Sequence, residues 1–433
     1  MVPKRKKVWL MAVDMGYGHQ RAAYPLLPIA EGGEIITANN YPGIPESDRK
    51  TWGGSENSYN LISRFKGFPL LGRPAFAIFD TFQEVKDFYP AKDESAPTIQ
   101  LKLLYSNIKK GLGRHLIEKL MVAEPLPIVG THFAVGHIAE FWNYPGDIYT
   151  VVTDSDISRA WAPLEPEISK IKYFASSPMS AARLLRYGVK KENIIETGFP
   201  LPFELLGPKL KFAKDNLRSR ISRLDPKKRY WDNFAPLELK YLGKAVAGAK
   251  RARPTLSFCI GGAGAQQEIG ESLVYSLAPL IKKGQISLNI VVGVSSETRE
   301  HFVKFAERSG LGDELGEDLK IIFMKTKDEY FKGFSEVLRT TDALWTKPSE
   351  LTFYAALGIP IIIAPPVGSH EVRNREWLLD LGAGVDSRPA GCANEWLPKM
   401  IEDGHLAEAA MNGFIKMEKW GAENIMEYFQ KHK

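Results

Sequence analysis

Apolar runs of strand length recur along the chain, separated by stretches with helical spacing. In the first half they are VWLMAV (8–13), LPIVGTH (126–132), IYTVVTD (148–154), KYFASS (172–177) and NIIETG (193–198). Between the last two, SPMSAARLLRYGV reads as a helix that Ser177 or Pro178 starts and Gly188 stops. Runs apolar on both faces and alternating with helices predict a parallel sheet covered on each side. The pattern restarts with TLSFCIGG (255–262), SLNIVVGV (287–294), LKIIFM (319–324), DALWT (342–346) and IPIIIAPP (359–366). The spacing predicts an α/β chain of two doubly wound domains: 1–205, with an insertion over 39–110, and 255–400. A basic linker segment over 206–254 would join them. Residues 401–433 would form C-terminal helices with the option of packing back on the N-terminal domain. No short tandem repeat is visible.

Composition narrows this picture. The 433 residues are 44% hydrophobic and 25% charged, a globular balance with length for two or three domains. No run approaches the roughly 18 apolar residues that cross a bilayer. The start MVPKRKKVWLMAVDMG has too short an apolar segment for a signal sequence and reads as the first strand of a cytoplasmic chain. Cys259 and Cys392 lack metal-ligand spacing, so reduced thiols rather than a disulfide framework are expected.

The net charge of +6 is unevenly spread. From Lys209 to Arg253 there are fourteen Lys or Arg against four acids, a larger excess than the whole chain carries. Such a segment is either a solvated linker face or a surface for anionic lipid or phosphate. Nucleic acid is not an expected partner, because the basic residues do not alternate with stacking aromatics. A second stretch, 61–82, mixes aromatics with Arg64, Lys66 and Arg73 and suits either lipid contact or a core insertion with basic edges.

In doubly wound folds ligands sit beyond the carboxyl ends of the strands. Those ends carry Asp14, Gly16, Gly18 and His19, then Thr131 and His132, Thr153 and Asp154, and Thr197, Gly198 and Pro200. In the second half they carry Gly261 to Gly264, Thr346 to Glu350, and Pro365 to Asn374. AVDMGYGHQRAA (12–23) is no dinucleotide fingerprint, since Arg21 occupies the third glycine position and no acidic residue follows at the required distance. The Gly-Lys-Ser/Thr of a Walker loop is absent from the chain. What remains is a tight turn that lets backbone approach a ligand, with His19 at a helix start as a base or as a structural histidine. Gly261, Gly262 and Gly264, between a strand and a helix opening, would favour a diphosphate or merely make the turn. Lys347, Ser349 and Glu350, with Glu371 and Asn374 one helical turn apart, suit ribose and sugar hydroxyls or serve as helix caps.

At these residues the chain resembles the GT-B glycosyltransferases that include MurG-type N-acetylglucosaminyltransferases and, more closely, monogalactosyldiacylglycerol synthase and processive diacylglycerol glucosyltransferases. DMGYGHQRAA is similar to that family's Asp-x-Gly-x-Gly-His-x-x-Ala loop. The segment VVTDSDISRAWAPLEPEISKIKYFASSPMSAARLLRYGVKKENIIETGFPL is similar to its Thr-Asp segment through Trp161 and the closing Gly198 to Pro200. GGAG, TKPSELT and GSHEVRN follow in the family's order.

The resemblance implies two Rossmann-like domains facing a central cleft, with His19 as candidate base and Asp154 as a second catalytic residue. It implies Gly261, Gly262, Gly264 and Ala265 at the nucleotide diphosphate and Lys347 and Ser349 near the nucleotide. Glu371 and Asn374 would lie near the sugar, and Gly16, Gly18, His132 and Trp161 on the acceptor side. The implied donor is a UDP-sugar as co-substrate, with inversion, no other cofactor and no obligatory metal. A hydroxyl acceptor is expected, with a membrane lipid favoured and a peripheral position at the inner face of the membrane. Two departures stand out. KPSE replaces Lys-Pro-Gly-Gly, and Phe353 occupies the position of the ribose-binding glutamate, which is missing or replaced by Glu350. They leave open a nucleotide-sugar epimerase or hydrolase of the same fold, or a nucleotide-sugar-binding protein without turnover.

Overall fold

A computed structural model describes residues 6–54, 84–243, 253–261 and 266–432. The basic-aromatic stretch 61–82 and the motif residues Gly262, Gly264 and Ala265 lie outside the described residues. The chain divides into two compact units: Met1–Pro202 with Val367–Asn374 and Glu418–Lys433, and Phe203–Pro366 with Arg375–Met417.

The first unit holds a six-stranded sheet of β1 (Trp9–Ala12), β2 (Ile36–Thr37), β3 (Ile128–Gly130), β4 (Ile148–Val151), β5 (Lys172–Ala175) and β6 (Ile194–Glu196). The order is β2-β1-β3-β4-β5-β6 and every pair is parallel. Successive residues of a strand point to opposite faces. On β1, Met11 enters one buried cluster with Ile128, Ile148 and Tyr173, while Leu10 and Ala12 enter another with Val129, Tyr149 and Phe174. Two cores sandwich the sheet, which is why its strands read as unbroken apolar runs. Helices α1 (Gly18–Ala23), α2 (Phe133–Phe141) and α3 (Pro178–Arg186) follow β1, β3 and β5. Ser177 caps α3 by accepting the Ser180 N–H at 3.0 Å, Pro178 fills its first position, and Gly188 at φ +91° follows its end.

The second unit repeats the plan with β7 (Thr255–Cys259), β8 (Ser287–Gly293), β9 (Leu319–Phe323), β10 (Ala343–Thr346), β11 (Ile361–Ile363) and β12 (Gly384–Asp386). The order β12-β11-β10-β7-β8-β9, all parallel, is that of a Rossmann sheet. Each sheet thus has one strand more than the apolar runs announce, β2 and β12. β2 has only two residues, both half-buried, and only one of the three in β12 is buried, so neither carries an apolar run.

The expected linker is a second correction. Its described part folds as α4 (Lys211–Leu224) and α5 (Arg229–Leu242), within the second unit. Arg220, fully buried, donates to the carbonyls of Thr341 at 2.9 Å and Gly358 at 2.8 Å. One turn on, Arg223 grips the Asp342 carboxylate through two hydrogen bonds of 2.7 and 2.8 Å. Part of the basic excess is therefore internal carpentry. Lys211, Lys227, Lys228 and Arg229 remain exposed.

Helix α6 (Ser369–Leu381) contributes its first residues to the first unit, and α7 (Gly421–Lys431) belongs there entirely. Ala422, Ile425 and Phe429 of α7 join the cluster on one sheet face, with the Phe429 ring 4.9 Å from that of Tyr149. The helix can seat so closely because it opens on glycine. A Cβ on Gly421 would lie 2.2 Å from the Phe199 carbonyl oxygen and 2.6 Å from that of Gly198. Backbone cannot yield as a side chain does, so Gly421→Ala is expected to displace α7 and cost about 1–3 kcal/mol, read from the urea midpoint.

Candidate active site

A doubly wound sheet opens a crevice where neighbouring strands send their chains in opposite directions. In the first unit that point lies between β1 and β3, because β1 leads to β2 on one side and β3 leads to β4 on the other. The loops leaving β1 and β3 carry His19, Thr131 and His132. After β1 the chain is pinned by Asn39, whose Oδ1 accepts the Asp14 N–H at 2.8 Å and whose amide donates to the Asp14 carbonyl at 3.1 Å. Gly16 then turns at φ +83° with no atom near a would-be Cβ, so backbone conformation rather than space requires glycine here. Helix α1 begins two residues later and presents His19, half-buried, at its second position.

The His19 Nδ1 lies 2.7 Å from the Thr131 carbonyl oxygen, and the Thr131 hydroxyl returns a bond to the His19 carbonyl at 2.8 Å. A carbonyl only accepts, so Nδ1 carries the proton and the neutral ring keeps the Nε2 lone pair open. His132 has the opposite tautomer. Its Nδ1 accepts the Ala134 N–H at 3.2 Å, which leaves the proton on Nε2. The two rings meet edge to face, 4.7 Å between centroids. Burial lowers the His19 pKa below its usual value; the bond to Thr131 and the charge of Asp154 oppose that shift, and His370 adds to it. Burial, then the proximity of His19 and His137, keeps His132 far below the usual histidine range. Both rings are accordingly neutral at pH 7.

Beyond β4, the Asp154 carboxylate accepts the Asn374 amide at 2.9 Å, and Ser155 donates to Asn374 Oδ1 through its N–H at 2.8 Å and its hydroxyl at 2.6 Å. Next along, Asp156 takes two bonds from Arg183 of 2.8 and 2.7 Å, and Arg183 also reaches Glu94 at 2.7 Å. Gly16, Gly18, His19, His132 and Asp154 therefore all belong to the strand ends of this unit, as their sequence positions imply. Trp161 is buried among core side chains, its ring 5.5 Å from that of Phe133. Glu371 and Asn374 are fully buried as well, with Glu371 accepting the Val367 N–H at 2.7 Å. Asn39, Ser155 and His370 escaped the sequence reading. The position of Ser155 directly after Thr-Asp and that of His370 within GSHEVRN could have signalled two of them.

In the second unit the reversal falls between β7 and β10. Gly261 follows β7, and Gln266, in left-handed conformation at φ +65°, donates to the Pro365 carbonyl at 2.7 Å just before the helix Gln267–Lys282. Beyond β10, Lys347, Ser349 and Glu350 are half-buried, and the hydroxyl of Thr352 closes a turn on the Ser349 carbonyl at 2.8 Å. Phe353 is buried with its ring 5.0 Å from Trp377, so apolar packing fills the position where the resemblance places a ribose-binding glutamate. Among the described residues no three His, Cys, Asp or Glu side chains come together to hold a metal, and no helix is long and apolar enough to cross a membrane.

No protein-family model matches the chain. It resembles the processive diacylglycerol beta-glucosyltransferase of Bacillus subtilis (strain 168), 21% identical over 387 residues that cover 88% of this chain and 83% of that protein. The enzyme of the same name from Bacillus pumilus (strain SAFR-032) is 21% identical over 431 residues, 98% of this chain and 94% of its own. Among solved structures, S. aureus MnaA in a co-structure with UDP superposes with a TM-score of 0.50 at 13% identity, over 99% of this chain and 97% of that one. The two Rossmann-like parallel sheets and this likeness show the GT-B fold.

Proposed function

We propose that the protein is an inverting glycosyltransferase that moves a sugar from a UDP-sugar to a hydroxyl acceptor. The observation that carries the reading is the His19 imidazole at the switch point of the first sheet, its Nδ1 proton committed to Thr131 and its Nε2 available as a base. In the proposed reaction Nε2 takes the proton of the acceptor hydroxyl while that oxygen attacks the anomeric carbon. The bond from that carbon to the diphosphate breaks, and UDP leaves with the electron pair. The loops after β7 and β10 would hold the nucleotide, with the Lys347 ammonium countering charge on the departing diphosphate. The UDP-sugar is the only co-substrate in this reading and no metal is needed, so turnover is expected to persist in EDTA.

A membrane lipid as acceptor is the finer part of the proposal. It is supported by the names of the two Bacillus relatives and by the exposed Phe234, Leu237 and Leu239 of α5, next to Lys227, Lys228 and Arg229. Apolar side chains rimmed by cations suit a protein lying on an anionic leaflet. The test is UDP release from a panel of UDP-sugars, with and without vesicles of anionic phospholipid containing diacylglycerol. Release that depends on the vesicles is expected. Release without any acceptor would indicate a hydrolase, recovery of an epimerised UDP-sugar an epimerase, and binding without turnover a protein that keeps only the nucleotide site.

A further inference from the structure

We infer that Asn374 is a positioning residue, which fixes the pose from which the Asp154 carboxylate acts on His19. The inference rests on the reading of His19 as the base. Asn374 is fully buried, and its amide is spoken for atom by atom. Oδ1 accepts from the Ser155 N–H at 2.8 Å and the Ser155 hydroxyl at 2.6 Å, while Nδ2 donates to Asp154 Oδ1 at 2.9 Å. A backbone N–H can only donate, so Oδ1 must face Ser155 and Nδ2 must face Asp154. That orientation suits a group that aligns a carboxylate.

The anchor under Asn374 is independent of Asp154. In the first turn of α6, the Ser369 hydroxyl accepts the Val85 N–H and the Arg373 guanidinium donates to the Val85 carbonyl, each at 3.2 Å. Glu371 closes the preceding turn on Val367. The backbone it works on is held too. The Ser176 hydroxyl donates to the Asp154 carbonyl and the Ser177 hydroxyl to the Ser155 carbonyl, both at 2.6 Å. With backbone and helix both fixed, the Asn374 amide decides where the Asp154 carboxylate points.

That direction matters to the chemistry. The charge of Asp154 favours the imidazolium form of His19, which is the form His19 acquires on taking the acceptor proton; His370, facing His19, and His137, facing His132, are the other titratable groups that act on this ring pair. An aimed carboxylate lowers the cost of the proton transfer. One free to swing away does not.

The test is a titration of the histidine ring resonances of the full chain by NMR, with the His19 signal assigned through its loss in His19→Ala. Asp154→Asn sets the reference, with His19 titrating at lower pH than in the native protein. Asn374→Ala is expected to shift His19 at least half as far in the same direction. It should also lower the turnover of UDP-glucose about tenfold while its KM stays within about twofold. Ser155→Ala keeps the Ser155 N–H bond and is expected to fold where Asn374→Ala does not, with a smaller shift of the same sign. An unchanged His19 titration in both variants, against a shift in Asp154→Asn, overturns the inference. Failure of the base reading looks different: His19→Ala would retain turnover while the titration shifts stand.

Discussion

His19→Ala is expected to lower turnover by about 10² or more and to leave the affinity for UDP within about twofold, measured as UDP release under saturating UDP-sugar and as UDP binding by calorimetry. The two readouts should separate because His19 and the loops proposed to hold the nucleotide lie in different units. What is lost is the proposed base, whose geometry is already set. Thr131 holds the Nδ1 proton, so no tautomer change precedes proton transfer, and burial keeps the ring neutral at pH 7. The sign for pH follows. A base acts when unprotonated, and the His19 pKa lies below its usual 6.5, so the acid limb of the turnover profile should fall below pH 6.5 and vanish in the variant. His132→Ala should behave differently. Its Nε2 carries the proton and cannot act as a base, so a smaller loss with the acid limb retained is expected. Full turnover in His19→Ala would remove it from the base role.

How far the sequence went can be judged on single elements. The long strands β7 and β8 and the capped helix α3 were legible because strong local signals and tertiary packing agree there. β2, two residues long and only half-buried, and β12, where one of three residues is buried, carry no run for a pattern to find. The basic segment misled for a physical reason: charge reads as solvent-facing, yet Arg220 and Arg223 turn inward because carbonyls and a carboxylate await them from the turns flanking β10, more than a hundred residues on. At the site, His19 was legible from its place after a strand and two glycines. Its meaning was not, since the tautomer depends on a carbonyl 112 residues away. Asn374 was found for its spacing from Glu371, but its partners Asp154 and Ser155 lie about 220 residues distant, and only the fold brings them to it.

Removal of Arg183 is the second large effect. The Arg183 side chain is 0% exposed and its partners Glu94 and Asp156 are 4% exposed each. The guanidinium also donates to the Lys86 carbonyl at 2.8 Å and lies 5.0 Å from the Phe88 ring. Arg183→Met keeps the volume but strands two carboxylates away from water, and a buried charge without its partner costs far more than the intact pair contributes. A loss of about 3–5 kcal/mol is expected from urea unfolding of the full chain. Removing the stranded charges should reverse much of it. In the triple variant with Glu94→Gln and Asp156→Asn the loss should fall to less than half, because neutral amides are cheaper to bury than carboxylates. Asp156 lies two residues from Asp154, so the single variant should lose turnover as well. If stability returns in the triple variant and turnover does not, the Arg183–Asp156 pair serves the loop as well as the fold, because the guanidinium fork holds the Asp156 carboxylate two residues beyond Asp154.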